Sequence, residues 1–133
     1  MPEKKPLPHH IVTAAILQKE NRILLAQRPK NGLLGGLWEF PGGKQEENES
    51  LEEALQREIK EELDCEIQVE DHFGEYQHAY THFRVTLHAF FCHIIKGVPR
   101  AVEASQLVWC DVHELTNYPM GKIDRQIAKQ LQK

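Results

Sequence analysis

From Phe83 onward apolar and polar positions alternate. Phe83, Val85, Leu87, Ala89 and Phe91 fall on one side of an extended strand and Arg84, Thr86 and His88 on the other, but Phe90, Cys92 and Ile94 continue that second side with apolar groups. A strand that is apolar on both sides over half its length predicts a sheet covered by a layer on each face. Residues 11–18 and 23–28 are two further apolar, β-branched runs, and the polar step between them predicts a hairpin. A loop over residues 29–36, a short strand over 37–40 and a strand over 67–76, irregular at Gly74, complete this reading of the first two thirds. After a loop over 96–104, the pattern predicts a strand over 106–110, a helical turn capped by Asp111 and a closing helix over 122–132.

The most informative segment is the helix expected over residues 51–63. At about 100° per residue, Leu51, Ala54, Leu55, Ile59 and Leu63 form its inward stripe, and Glu58, Glu61 and Glu62 fall within or beside that stripe. Lys60, Glu53, Gln56 and Asp64 take the outer face. A solvated acidic face is the ordinary fate of a Glu-rich helix. Carboxylates on the packed side instead need a compensating cation, because partly buried unpaired charge is costly. Their hard oxygens suit Mg²⁺, with Mn²⁺ as a substitute, and not zinc. Ser50 and Glu53 have capping-box spacing at the start of this helix. Just before it, Phe40-Pro41-Gly42-Gly43-Lys44 reads as a tight turn whose glycines permit close approach of the main chain to a ligand.

Gly43, Glu49, Arg57, Glu58, Ile59, Glu61, Glu62 and Cys65 together resemble the box of the Nudix hydrolases, G-x5-E-x7-R-E-U-x-E-E-x-G-U with U bulky and apolar. One position departs from it: Asp64 stands where the pattern has glycine, and Asp tolerates the left-handed backbone that a helix end requires. The resemblance implies an α+β fold, a Nudix α/β/α sandwich with a mixed β-sheet between helices. It also implies metal binding by the Gly42 carbonyl, Glu58, Glu61 and Glu62, with Arg57 orienting a neighbouring acid and Glu103 joining from a later loop. An exposed loop glutamate is the equal alternative for Glu103. Lys44 and Arg28 would meet phosphate oxygens, with a solvated surface charge as the alternative for each. The implied reaction is hydrolysis of a nucleoside triphosphate to the monophosphate and pyrophosphate, Glu61 or Glu58 standing nearest to the role of base.

Residues 33–41 and the stretch His78-Ala79-Tyr80-Thr81-His82-Phe83 resemble two groups that handle oxidised guanine. One is the MutT-type 8-oxo-dGTP diphosphatases; the other is the C-terminal domain of MutY-type adenine glycosylases, which read 8-oxoguanine in duplex DNA without hydrolysis. Tyr80, Thr81 and His82 occupy the lesion-inspecting place of the second group. The intact acidic box favours the hydrolase, and with it a role in sanitising the nucleotide pool. Phe40 is a candidate to stack on the base or to sit in the core, and Asp124 to read the base or to cap the last helix.

Composition narrows the partners further. A chain of 133 residues, 41% hydrophobic and with a formal charge of −4, fits one domain over residues 1–133 and lacks the basic footprint of a free-standing duplex binder. Residues 1–8 read as a mobile lead-in. Cys65, Cys92 and Cys110 have neither paired nor zinc-knuckle spacing, which points to reduced thiols in the cytoplasm. No run is long and apolar enough to predict a membrane span. A monomer or weak dimer acting on a soluble nucleotide is expected.

Overall fold

The computed structural model describes residues 6–133; of the lead-in expected at residues 1–8, the first five lie outside the described residues. Its elements are β1 (His9–Lys19), β2 (Arg22–Gln27), β3 (Trp38–Glu39), β4 (Gly42–Lys44), α1 (Leu51–Leu63), β5 (Glu66–Ala79), β6 (Arg84–Lys96), β7 (Gln106–Asp111), a 3-10 helix (Val112–Asn117) and α2 (Lys122–Leu131). The strands run β3-β2-β1-β6-β5, with β4 added to β1 and β7 to β2. The sheet is mixed, because β1 and β6 are parallel from His9 opposite Arg84 to Leu17 opposite Cys92 while the remaining pairs are antiparallel.

The two-faced alternation has the expected result. Ala14, Ile16, Ile23, Leu25 and Ala89 pack with Ile123, Ile127 and Ala128 of α2 in one core. Ala15, Leu17, Leu24, Phe90 and Cys92 pack with Leu55, Ile59 and Leu63 of α1 in the other. Successive residues of one strand thus serve opposite layers, as the period of two requires. All three cysteines are free and buried. Burial pushes the Cys92 thiol up to about 12.

α1 begins where its sequence says it should. Ser50 accepts from the Glu53 amide at 3.0 Å and the Glu53 carboxylate accepts from the Ser50 amide at 2.9 Å, so the capping box is closed. The helix ends on Asp64, which adopts the left-handed conformation at φ 55.

Two strands differ from expectation. Residues 66–79 form one long strand, extended three residues beyond Tyr76, with register shifts between Glu66 and Ile67, between Val69 and His72, and between His72 and Gly74. Gly42–Lys44, read as part of a turn, forms β4 and pairs with Val12, Thr13 and Ala14. Three residues with two glycines carry no periodic signal; here the pairing is imposed by β1, and Ala15 donating to the Pro41 carbonyl at 2.7 Å extends it. A Cβ on Gly42 would collide with the Thr13 carbonyl, so only glycine lets β4 approach this closely.

β1 and β2 pair only at Gln18 opposite Ile23 and Lys19 opposite Arg22. Beyond that they diverge, and the space between them becomes a cleft. The position of α1 against the sheet fixes one wall of it, so its packing is the part of the fold that the site depends on. Leu55→Ala removes a fully buried side chain from that contact and is expected to cost ~2–5 kcal/mol, read as a lowered urea midpoint with an unchanged slope.

Candidate active site

One end of the cleft is acidic. Glu62 lines it together with Glu39, Gly42, Gly43 and Lys44, and on its other side with Glu39, Arg28 and Glu103. Burial, then the charges of Glu58, Glu39 and Glu103, push the Glu62 carboxyl up to about 8, the Gly42 amide offsetting this only in part. Among the described residues, no Lys, Arg or His side chain forms an ion pair with Glu62 or Glu103. Burial likewise raises Glu58 and Glu39, each partly countered by an arginine.

Arg57 organises the acids that precede Glu62. Its Nε donates to Glu49 at 2.6 Å, Nη2 donates to Glu49 at 3.1 Å and to the Lys44 carbonyl at 2.9 Å, and Nη1 donates to Glu58 at 2.9 Å. A longer bond, 3.4 Å, reaches Glu61. The hydrogen bond from Arg57 holds Glu49 below the usual carboxylate range, and the pair in turn keeps Arg57 protonated. The Glu58 carboxylate lies against Gly43, where any Cβ would strike it.

The expected acids differ in how far they enter the cleft. Glu58 is half-buried with 17% of its side chain exposed, whereas Glu61 is 55% exposed and lies further out than its helical phase suggested. Among the described residues no three acidic, imidazole or thiol side chains, the α1 carboxylates included, converge into a closed cation cage. Their chemistry nevertheless fits a hard divalent cation. The donors are carboxylate and backbone oxygens, and Glu62 is a buried acid whose neighbours are other acids.

The other end of the cleft is apolar. It has a volume of about 390 Å³ and is walled by Val12, Leu33, Leu34, Tyr80, Phe83, Val85, Leu87 and Ile123, with Thr81, His82, Arg28 and Asp124 supplying polar groups. Tyr80 stacks on Phe83 with ring centroids 4.8 Å apart. Asp124 accepts from the Phe40 amide at 3.1 Å. Burial, the leading cause, lifts its carboxyl to about 7.

Two alternatives that the sequence left open are narrowed here. Asp124 does not cap the last helix: the cap position before α2 is Gly121, which offers no side chain, and Asp124 lies inside the first turn, facing the cleft. Phe40 does not offer its ring for stacking, since only 3% of the residue is exposed and its side chain belongs to the core; it meets the cleft through its backbone. Arg28 does face the cleft, but its guanidinium is engaged, with Nη1 donating to Glu39 at 2.9 Å and Nε to the Leu33 carbonyl at 2.9 Å.

Glu39 and Glu49 escaped the sequence reading as site residues. Glu39 lines both the acidic and the apolar parts of the cleft. Its signal was an acid between two large aromatics, Trp38 and Phe40, on a strand leading into Pro41-Gly42-Gly43.

The NUDIX domain family matches residues 12–130. The CTP pyrophosphohydrolase of Escherichia coli (strain K12) is 41% identical over 113 residues, 85% of this chain and 84% of that protein. A putative 8-oxo-dGTP diphosphatase 2 of Mycobacterium tuberculosis is 34% identical over 120 residues, 88% of this chain and 84% of that protein. Among solved structures, the E. coli ORF135 protein has a TM-score of 0.81 at 38% identity, covering 92% of this chain and 88% of that one.

The raised acids set the pH dependence of stability. Between 3.8 and about 7 for Asp124, and between 4.5 and about 8 for Glu62, each carboxyl holds in the folded chain a proton that it releases on unfolding. Their contribution is therefore complete below 3.8 and 4.5 and is lost as pH rises through about 7 and about 8. In chelator, the melting temperature should fall between about pH 5 and about pH 8, and Asp124→Asn, which keeps the oxygen that accepts from Phe40, should flatten that fall by several degrees. An unchanged slope in the variant would remove Asp124 as its source.

Proposed function

The chain belongs to the NUDIX domain family as a Nudix hydrolase, and on that footing we propose that it cleaves an oxidised purine nucleoside triphosphate, 8-oxo-dGTP, to the monophosphate and pyrophosphate. The observation that carries this reading is the uncompensated carboxyl of Glu62 at the acidic end of a cleft whose other end is apolar. A triphosphate nucleotide has the matching polarity: a flat base at one end, an anionic chain needing a cation at the other.

Glu58, Glu61, Glu62, Glu103 and the Gly42 carbonyl would hold Mg²⁺. Bound there, the ion supplies neutralisation of phosphate oxygens and acidification of a water. Arg57 fixes the orientation of Glu58 and carries no substrate itself. Glu61 or Glu58 takes the proton of the attacking water as the phosphorus–oxygen bond to the pyrophosphate breaks. Lys44 and Arg28 line the passage between the two ends and face the phosphate chain. Tyr80, Thr81 and the backbone of Phe40 border the base, and Asp124 reads its edge.

A second reading has specific support. The E. coli relative at 41% identity is named for CTP, and the two bases present different edges. Guanine offers two donors to Asp124, N1–H and the 2-amino group, and these suit an ionised carboxylate; cytosine offers the acceptor N3 and the donor 4-amino group, and these suit a protonated carboxyl. A DNA lesion reader that performs no hydrolysis gives no role to the Glu62 cluster.

Two experiments follow. Glu62→Gln should lower turnover by roughly two to four orders of magnitude while keeping or raising the melting temperature in chelator, because a buried acid that must take up a proton on folding is replaced by a neutral amide. Equal turnover in a pyrophosphate-release assay would defeat the assignment. The ratio of kcat/KM for 8-oxo-dGTP over CTP should rise as pH passes through about 7, where Asp124 ionises. Asp124→Asn, which permanently presents one donor and one acceptor, should lower and flatten that ratio; a flat ratio in the parent enzyme would exclude Asp124 from base selection.

A further inference from the structure

The loop that brings Glu103 to the cleft is held by polar contacts on both sides of that residue: after it, Ser105 donates its amide to the Gln27 carbonyl of β2 at 2.9 Å, and before it the chain is fastened to the end of α1. Arg100 donates its amide to the Leu63 carbonyl at 2.8 Å, and Val102 donates to the Glu62 carbonyl at 3.2 Å. These are carbonyls of the last helical turn, which have no partner within the helix. The apolar residues of the same loop do not anchor it: Val98 is 78% exposed and Val102 50%. Glu103 follows directly and faces Glu62 across the cleft.

One side-chain contact fastens this arrangement. Arg100 Nε and Nη2 both donate to Asp64 Oδ2, at 3.2 and 3.1 Å. Asp64 is the residue that departs from the box pattern, standing where glycine is usual. It keeps the left-handed backbone at φ 55 that a glycine would provide, and adds a carboxylate that a glycine cannot. The substitution and the arginine are therefore complementary: the helix end gains an anchor for the loop, and the anchor lies three residues before the acid that the loop delivers.

We propose that the Asp64–Arg100 pair is a positioning clamp that sets the distance of Glu103 from the α1 acids. The inference rests on the reading of Glu103 as a member of the cation-holding set. Both partners are exposed, 51% and 67%, so the pair contributes little to global stability. Its effect falls on where Glu103 stands, and small displacements of a reacting group are felt strongly in the rate.

The test uses Asp64→Gly, which keeps the left-handed backbone and removes the carboxylate, Arg100→Ala, their combination, and Glu103→Gln as a reference. Each single variant should lower kcat about fivefold, the equivalent of ~1 kcal/mol, with KM for the nucleotide and the melting temperature unchanged. The combination should be no worse than either single change, and Arg100→Lys should recover part of the loss. On metal-free protein, the Arg100 and Val102 amides should exchange with deuterium several-fold faster in both single variants. Unchanged kcat in Asp64→Gly and Arg100→Ala, beside a collapse in Glu103→Gln, would overturn the clamp and leave the role of Glu103 standing. Full turnover in Glu103→Gln would overturn that role and the clamp with it.

Discussion

The site depends on gathering like charges into one small volume without letting them unfold the helix that carries them. Arg57 is the group that makes this possible. Its guanidinium bonds the Lys44 carbonyl, Glu49, Glu58 and more loosely Glu61, joining the strand, the turn and the helix through one cation. Only a planar guanidinium can serve so many acceptors from a fixed position; the ammonium of lysine carries three donors on a flexible stem. Glu62 receives no such help, and burial first, then the charges of Glu58, Glu39 and Glu103, lift its carboxyl to about 8. The cluster is thus divided into acids that Arg57 pairs and two, Glu62 and Glu103, that form no ion pair among the described residues.

That division also explains the tolerances around the box. β4 can approach β1 only because Gly42 has no side chain, and Glu58 can lie over β4 only because Gly43 has none. The two glycines are consecutive, and a strand places consecutive residues on opposite sides. One glycine therefore admits the sheet and the other admits the carboxylate. The pair serves packing and chemistry separately, which a turn-forming role alone would not require.

Much of this was legible in the sequence, and the exceptions have physical causes. Helix α1, its capping box, the two-faced β6 and the left-handed Asp64 all follow from local chemistry and periodicity, and each is found as expected. β4 carries no periodicity, because two of its three residues are glycine; its pairing comes from β1 and so is invisible to local pattern. The outward lean of Glu61 depends on how α1 docks, which helical phase fixes only to within a fraction of a turn. Phe40 and Asp124 are more than eighty residues apart, and nothing local to either could announce that a core aromatic lends its amide to a carboxyl of the last helix. Glu39 shows the same limit: its importance comes from the divergence of β1 and β2, a property of pairing over distance.

The two ends of the cleft are coupled through the residues they share. Arg28 and Glu39 border both, and their ion pair sits between the apolar wall and the acids. Arg28 also donates to the Leu33 carbonyl, so the loop carrying Leu33 and Leu34, both exposed at the rim of the apolar end, is tied to the same hub. Burial lifts Glu39, and Arg28 opposes that lift. A phosphate chain entering the passage would compete with Glu39 for the guanidinium. To the extent that it succeeded, it would leave Glu39 as a further unpaired acid beside Glu62, increasing the demand for a cation at the moment the anionic substrate arrives. On the function proposed above, substrate and cation would then favour each other's binding.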